Sequence, residues 1–261
     1  MAGQLVYVTY ADGAFVGNYR RNAWFARVLG GAGRTLFFSR ADLEANPVYG
    51  ANRAIFDSKR GAGLWVWKPW AILQAMDACG PDDVVFYHDC GFGLRYKLLL
   101  HPRRLIAWAQ THGFLAGVRA PQYGPNRKWT RAACRALMGG AADLAEVPTI
   151  EASVSLWPNT PEARAFVAEW LRWCLTWEAI RDARPDELGG EAPDFVAHRN
   201  DQSVLTNLVA VTGAPAYDPQ PQSLPFAKSV TLLELDLRSR NSVVYRWLWQ
   251  AALVLGRLRR G

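Results

Sequence analysis

Apolar and polar positions follow two rhythms along this chain. Leu5 to Tyr10, Arg34 to Phe38, Asp83 to Tyr87, Phe114 to Val118 and Ile150 to Leu156 are short runs rich in branched and aromatic residues, and they read as strands. Between them the apolar positions recur at helical spacing. Tyr19 to Leu29 predicts a helix closed by Gly30-Gly31, and Pro69 to Cys79 a helix that opens on a proline with no N–H to satisfy and stops before Gly80-Pro81. His101 to His112, Trp129 to Met138, Thr160 to Trp177 and Asn200 to Val211 complete the helical set. The alternation predicts an α/β fold with one mostly parallel, Rossmann-like central sheet and helices on both faces. The longest irregular run, Arg184 to Ala197, is rich in Pro, Gly and acids and is expected to be a lid or binding loop.

Composition changes this picture in three ways. Half of the 261 residues are hydrophobic, enough for a sizeable core without staples. The four cysteines, Cys79, Cys90, Cys134 and Cys174, have no C-x-x-C spacing and read as reduced thiols rather than as a disulfide framework or a zinc site. Met1-Ala2-Gly3-Gln4 leads straight into a strand with no secretory pattern, so a cytoplasmic location is expected.

The formal charge is +7, but its placement matters more than its size. From Asp236 onward there are six arginines and one acid, so residues 1–235 carry only +2. With most of the surplus in residues 236–261, nucleic acid is the least favoured partner. The same segment holds Trp247, Trp249 and an uncharged run to Gly256 of ten residues, about half of what crosses a bilayer. Two readings stand side by side: a basic amphipathic segment on the inner face of the cell membrane, or a closing helix docked on the body.

In open α/β sheets, ligands gather beyond the carboxyl ends of the strands. Val84-Val-Phe-Tyr87 ends in His88-Asp89-Cys90-Gly91, and side-chain alternation sends Tyr87 and Asp89 to one face and His88 to the other. A hard cation such as Mg²⁺ or Mn²⁺ favours the Asp89 carboxylate, with Gly91 letting a ligand approach; the plainer reading makes Asp89 a turn cap. Lys68, in Arg60-Gly-Ala-Gly-Leu-Trp-Val-Trp-Lys-Pro69, lies at a predicted helix amino terminus, where an anion is favoured, unless it snorkels to solvent over a tryptophan core. In His198-Arg-Asn-Asp-Gln-Ser203, Asn200 reads as an N-cap, with Asp201 and Gln202 in the first turn.

Taken together, Arg60-Gly-x-Gly-x-Trp-x-Trp-Lys-Pro69, Tyr87-x-Asp-x-Gly91, Trp129-Thr-Arg131, Phe166-Val-x-Glu-Trp170 and His198-Arg-x-Asp-Gln-Ser203 resemble bacterial nucleotide-sugar glycosyltransferases of the GT-A fold. These belong to capsule and lipopolysaccharide gene clusters and are distantly similar to glycosyltransferase families 8 and 32. The resemblance implies a GT-A-like catalytic domain over residues 1–235, a nucleoside-diphosphate sugar as donor, and a saccharide or lipid-linked acceptor. It implies that Asp89 meets Mn²⁺ or Mg²⁺ and the diphosphate, that Lys68 and Arg60 lie near the phosphates, and that Tyr87 and Gly91 belong to the same donor motif. Thr9, Tyr10 and Asp12 would touch the nucleotide, and Asp201 with Gln202 would stand against the donor sugar, as in retaining enzymes. The motif has no second carboxylate, which leaves His198 or Asp218 to complete a metal site. A different class of reading is a non-catalytic sugar- or nucleotide-binding module.

Overall fold

A computed structural model describes residues 3–28, 30–91, 103–140 and 142–218. The readings placed on residues 236–261, and on His101, lie outside the described residues.

The architecture is the expected α/β sheet. Its strands are β1 (Leu5–Tyr10), β2 (Arg34–Phe38), β3 (Val84–His88), β4 (Val118–Arg119), β5 (Ile150–Glu151) and β6 (Val154–Pro158). The central sheet runs β2-β1-β3-β6, and β4 and β5 form a separate two-stranded ladder. Both neighbours of β1 are parallel to it, with Val8 opposite Leu36 and Tyr87, while β6 closes the edge antiparallel to β3.

Period-two alternation decides which side chains each face buries. Val8, Tyr10, Val85, Tyr87 and Trp157 pack on one side beneath the helices Trp67–Asp77, Pro161–Cys174 and Asp201–Thr212. Leu5, Tyr7, Phe86 and Leu156 pack on the other against Val16–Val28 and Arg103–His112. A fully buried Trp157, stacked on Phe114 with ring centroids 5.3 Å apart, anchors the first layer.

Several expectations need correcting. The run Ile150 to Leu156 is two strands in different sheets, because the chain bends at Ala152-Ser153. Phe114 to Val118 is no continuous strand: Leu115 makes an isolated bridge to Leu156, and only Val118 enters β4. Short helices at Arg40–Glu44, Pro47–Ala51 and Arg53–Phe56 fill a stretch that has no long periodic pattern, although Ser39 with Asp42 builds a capping box and Asn46 caps Pro47. Arg184 to Ala197 folds into a 3₁₀ segment, Pro185–Gly190, tied down by Arg181 on Glu187 at 2.6 Å and by the buried Arg131 at 3.5 Å from the same acid. These pairs strap the loop to the body.

Candidate active site

The parallel pairing of β1 and β3 brings their carboxyl ends together, so Tyr10, Ala11 and Asp12 lie beside Asp89, Cys90 and Gly91 on one wall of a hollow of about 760 Å³. The start of the Trp67–Asp77 helix adds Lys68, the bend between β5 and β6 adds Glu151 and Ser153, and the start of the Asp201–Thr212 helix adds Asp201 and Gln202. Lys59, Trp65, Tyr123 and Arg199 stand on the same wall.

At its base the hollow holds a buried charge cluster. The Lys68 ammonium lies 3.1 Å from Asp201 Oδ2 and 3.4 Å from Asp89 Oδ1, and donates to the Ala152 carbonyl at 3.5 Å. Tyr87 donates its hydroxyl to Asp89 Oδ1 at 2.5 Å, and burial pushes the phenol well above its ordinary pKa, which keeps it a donor. Burial disfavours the charged Lys68 amine, yet Asp201 and Asp89 outweigh it and raise its pKa. Two carboxylates against one ammonium leave a surplus negative charge. The deeper acid absorbs it: burial pushes Asp201 up to about 7, opposed by Lys68 and assisted by Asp89.

The chain fixes these groups from outside the hollow. The Trp170 indole donates to the Asp201 carbonyl at 3.2 Å, which gives the Phe166-Val-x-Glu-Trp170 motif a physical purpose. Arg60 bonds Asp182 at 2.7 Å and the His198 carbonyl at 3.0 Å, so it holds the turn before Asp201 rather than reaching freely for phosphate. Asn200, expected to cap the helix, instead takes a left-handed φ of 46° and donates its amide to the Ile180 carbonyl at 2.7 Å. Ahead of Lys68, five consecutive residues have positive φ: Gly61 58°, Ala62 50°, Gly63 101°, Leu64 55° and Trp65 59°. Three of these are not glycine, and such strain collects where a site needs a particular backbone. This turn starts the helix at Trp67, two residues earlier than the proline suggests.

Of the residues singled out in the sequence, Tyr10, Asp12, Arg60, Lys68, Asp89, Gly91, Asp201 and Gln202 line the hollow, with Tyr87 directly behind Asp89. The Tyr10 ring stacks on Trp67 at 4.4 Å, and Asp12 caps the next turn by accepting from the Gly13 amide at 2.6 Å. Gln202 Nε2 is buried with no acceptor among the described residues, a donor available to a ligand. Thr9 is fully buried in the sheet and does not reach the wall. Glu151 and Ser153 escaped the sequence reading, and Arg199 entered it only as part of the His198-Arg-x-Asp-Gln-Ser203 motif, with no role. Arg199 had a signal in the neighbouring Asp-Gln motif; its guanidinium lies 4.2 Å from the Tyr123 ring centre and 4.0 Å from that of Trp129. Glu151 bonds Ser153 at 2.7 Å and carried no local signal, since only the chain bend turns it inward.

The donor set does not fit the divalent cation expected at Asp89 and His198. His198 accepts the Arg131 amide at one ring nitrogen, and its other faces the Ala179 carbonyl at 3.0 Å; burial lowers its pKa to about 3. It is a structural imidazole away from the hollow. Asp218 is exposed and also off that wall. Among the described residues no group of three His, Cys, Asp or Glu side chains could hold a metal, and the acids that do meet are both paired with an ammonium.

No protein-family model matches the chain, and no curated protein does. Solved structures similar to it include galactosyltransferase LgtC in complex with donor and acceptor sugar analogues, at 14% identity and a TM-score of 0.40 over 81% of this chain and 72% of that one. An active-site mutant of LgtC is similar at 14% identity and a TM-score of 0.41, over 90% of this chain and 81% of that one.

Proposed function

We propose that the protein is a glycosyltransferase that moves a sugar from a nucleoside-diphosphate donor to a saccharide or lipid-linked acceptor in cell-surface polysaccharide synthesis. One observation carries the reading: Lys68, Asp89 and the Asp201-Gln202 pair, far apart in sequence, converge on one hollow at the carboxyl end of the sheet. The reaction breaks the bond between an anomeric carbon and a diphosphate oxygen, so charge grows on the departing phosphate. Cations on the wall, Lys59 and Arg199 at the mouth and Lys68 at the base, are suited to stabilise it. The sugar passes through an oxocarbenium-like state, where Asp201, in its ionised form, balances positive charge and the Gln202 amide orients a hydroxyl or carbonyl oxygen. Tyr10, stacked on Trp67, offers an aromatic edge to the nucleotide. Retention at the anomeric centre and work at the inner membrane face belong to the same proposal.

The test is turnover of a panel of nucleotide sugars, with anomeric configuration read by NMR of the product. Asp89→Ala, which frees Tyr87 and half-unpairs Lys68, is expected to cut kcat/KM by about 100-fold or more. An unchanged rate in that variant would sink the assignment. The second reading, a binding module without turnover, draws on the single carboxylate in Asp89-Cys90-Gly91; it predicts nucleotide binding with no product from any donor.

A further inference from the structure

We propose that the Lys68 ammonium takes the place of a divalent cation, so that the donor site binds its nucleoside diphosphate without metal. The inference rests on the glycosyltransferase reading and departs from the metal that the sequence resemblance implies. Its basis is the oxygen shell of Lys68. Three oxygens surround this ammonium: the Ala152 carbonyl accepts a hydrogen bond from it at 3.5 Å, and Asp201 and Asp89 stand at ion-pair distances of 3.1 and 3.4 Å. They come from a helix start, a strand end and a strand bend, the elements that enclose the base of the hollow. A divalent ion taking those carboxylates would have to expel the ammonium or sit beside it, and repulsion in a buried setting is strong.

Two further observations point the same way. A Cβ at Gly91, where a second motif acid would stand, falls 2.2 Å from Phe15 Cδ1 and 3.3 Å from Asn18 Nδ2. A side chain at this position would need the half-exposed Phe15 ring to move. The hollow also carries cations of its own: Lys59, Lys68 and Arg199 line it beside Asp12, Asp89, Glu151 and an Asp201 that burial pushes toward its neutral form. Arg199, with its guanidinium against the Tyr123 and Trp129 rings, is an oriented cation of the kind that meets a diphosphate. Lys68 thus supplies positive charge at the base of the hollow while fixing the carboxylates, and Arg199 is placed to meet the phosphates.

Binding of UDP and of GDP to the full chain, measured by calorimetry in EDTA and in excess Mn²⁺, tests this. Dissociation constants that agree within about twofold support the proposal; tightening by about tenfold or more with Mn²⁺, or binding only with it, overturns the proposal. Mn²⁺ electron paramagnetic resonance on the nucleotide-free protein scores the inference separately. A free-ion spectrum is expected, and a protein-bound signal overturns it. If neither nucleotide binds under either condition, the glycosyltransferase reading fails, while the resonance experiment still decides whether the carboxylates take a metal. Lys68→Met adds a gain-of-function arm: with the ammonium gone, Mn²⁺ is expected to raise the melting temperature of the variant and not that of the wild type. Should that variant not fold, the wild-type measurements stand alone.

Discussion

Between about pH 4 and 6.5, two buried groups pull the stability of this protein in opposite directions. With the native Asp201 carboxyl near 7, the folded state keeps a proton that the unfolded chain has released above about pH 4. The folded state therefore loses stability as pH rises through that window. His198 acts in reverse. Its native value of about 3 lies below the unfolded value of about 6.5, so acid protonates the unfolded chain first and stability falls as pH drops. Asp201→Asn should remove the first slope and expose the second, so that the urea midpoint climbs with pH from about 4 to 6.5 where the wild type stays comparatively flat. Identical profiles for the two proteins would contradict the buried Lys68–Asp201 arrangement.

At the scale of single elements, the unusual piece is the left-handed turn from Gly61 to Trp65. A non-glycine residue in that conformation costs about 1–2 kcal/mol, and Ala62, Leu64 and Trp65 all bear it. What stabilises the turn is local: Gly63 donates to the Ser58 carbonyl and Leu64 to the Arg60 carbonyl, both at 2.8 Å, and the Trp67 indole donates to the Gly61 carbonyl at 2.9 Å. Ala62→Gly is expected to stabilise the fold by about 1 kcal/mol, read as a raised urea midpoint at unchanged m-value. Gly61→Ala should do the opposite, because its Cβ would fall 2.3 Å from the Trp65 ring. A neutral or destabilising Ala62→Gly would mean the turn is not strained.

Over the whole molecule, the sheet divides the core into two layers and delivers its chemistry to one end. The helices Trp67–Asp77 and Asp201–Thr212, which bring Lys68 and Asp201, both pack on the same face, so a single layer supplies the charge cluster. Among the described residues no helix is long and apolar enough to cross a membrane. The sequence expectation of membrane attachment rests on the arginine- and tryptophan-bearing segment after Asp236, outside the described residues. Deleting residues 241–261 is expected to abolish sedimentation with anionic liposomes, and added salt should weaken the binding of the full chain. Equal sedimentation with and without that segment would favour the alternative of a helix docked on the body.

Much of the framework was legible along the chain. Leu5 to Tyr10 and Val84 to Tyr87 read as strands because a buried parallel strand is apolar on both faces, and Asp89 stood out as an acid at the end of one. The Lys68 and Asp201-Gln202 stretches were visible as motifs for a similar local reason: each starts a helix. Tertiary structure decided what those residues do. Whether Lys68 faces solvent, phosphate or carboxylates depends on helix packing across the sheet, and the fold sets it between Asp89 and Asp201. The same long-range packing turned His198 toward the Arg131 amide and the Ala179 carbonyl, brought Glu151 to the wall through a bend, and committed Arg60 to Asp182. Local pattern determines which segments become strands and helices, because propensity and alternation act over a few residues. Pairing between charges distant in sequence belongs to the tertiary structure, since burial and proximity exist only once the layers have closed.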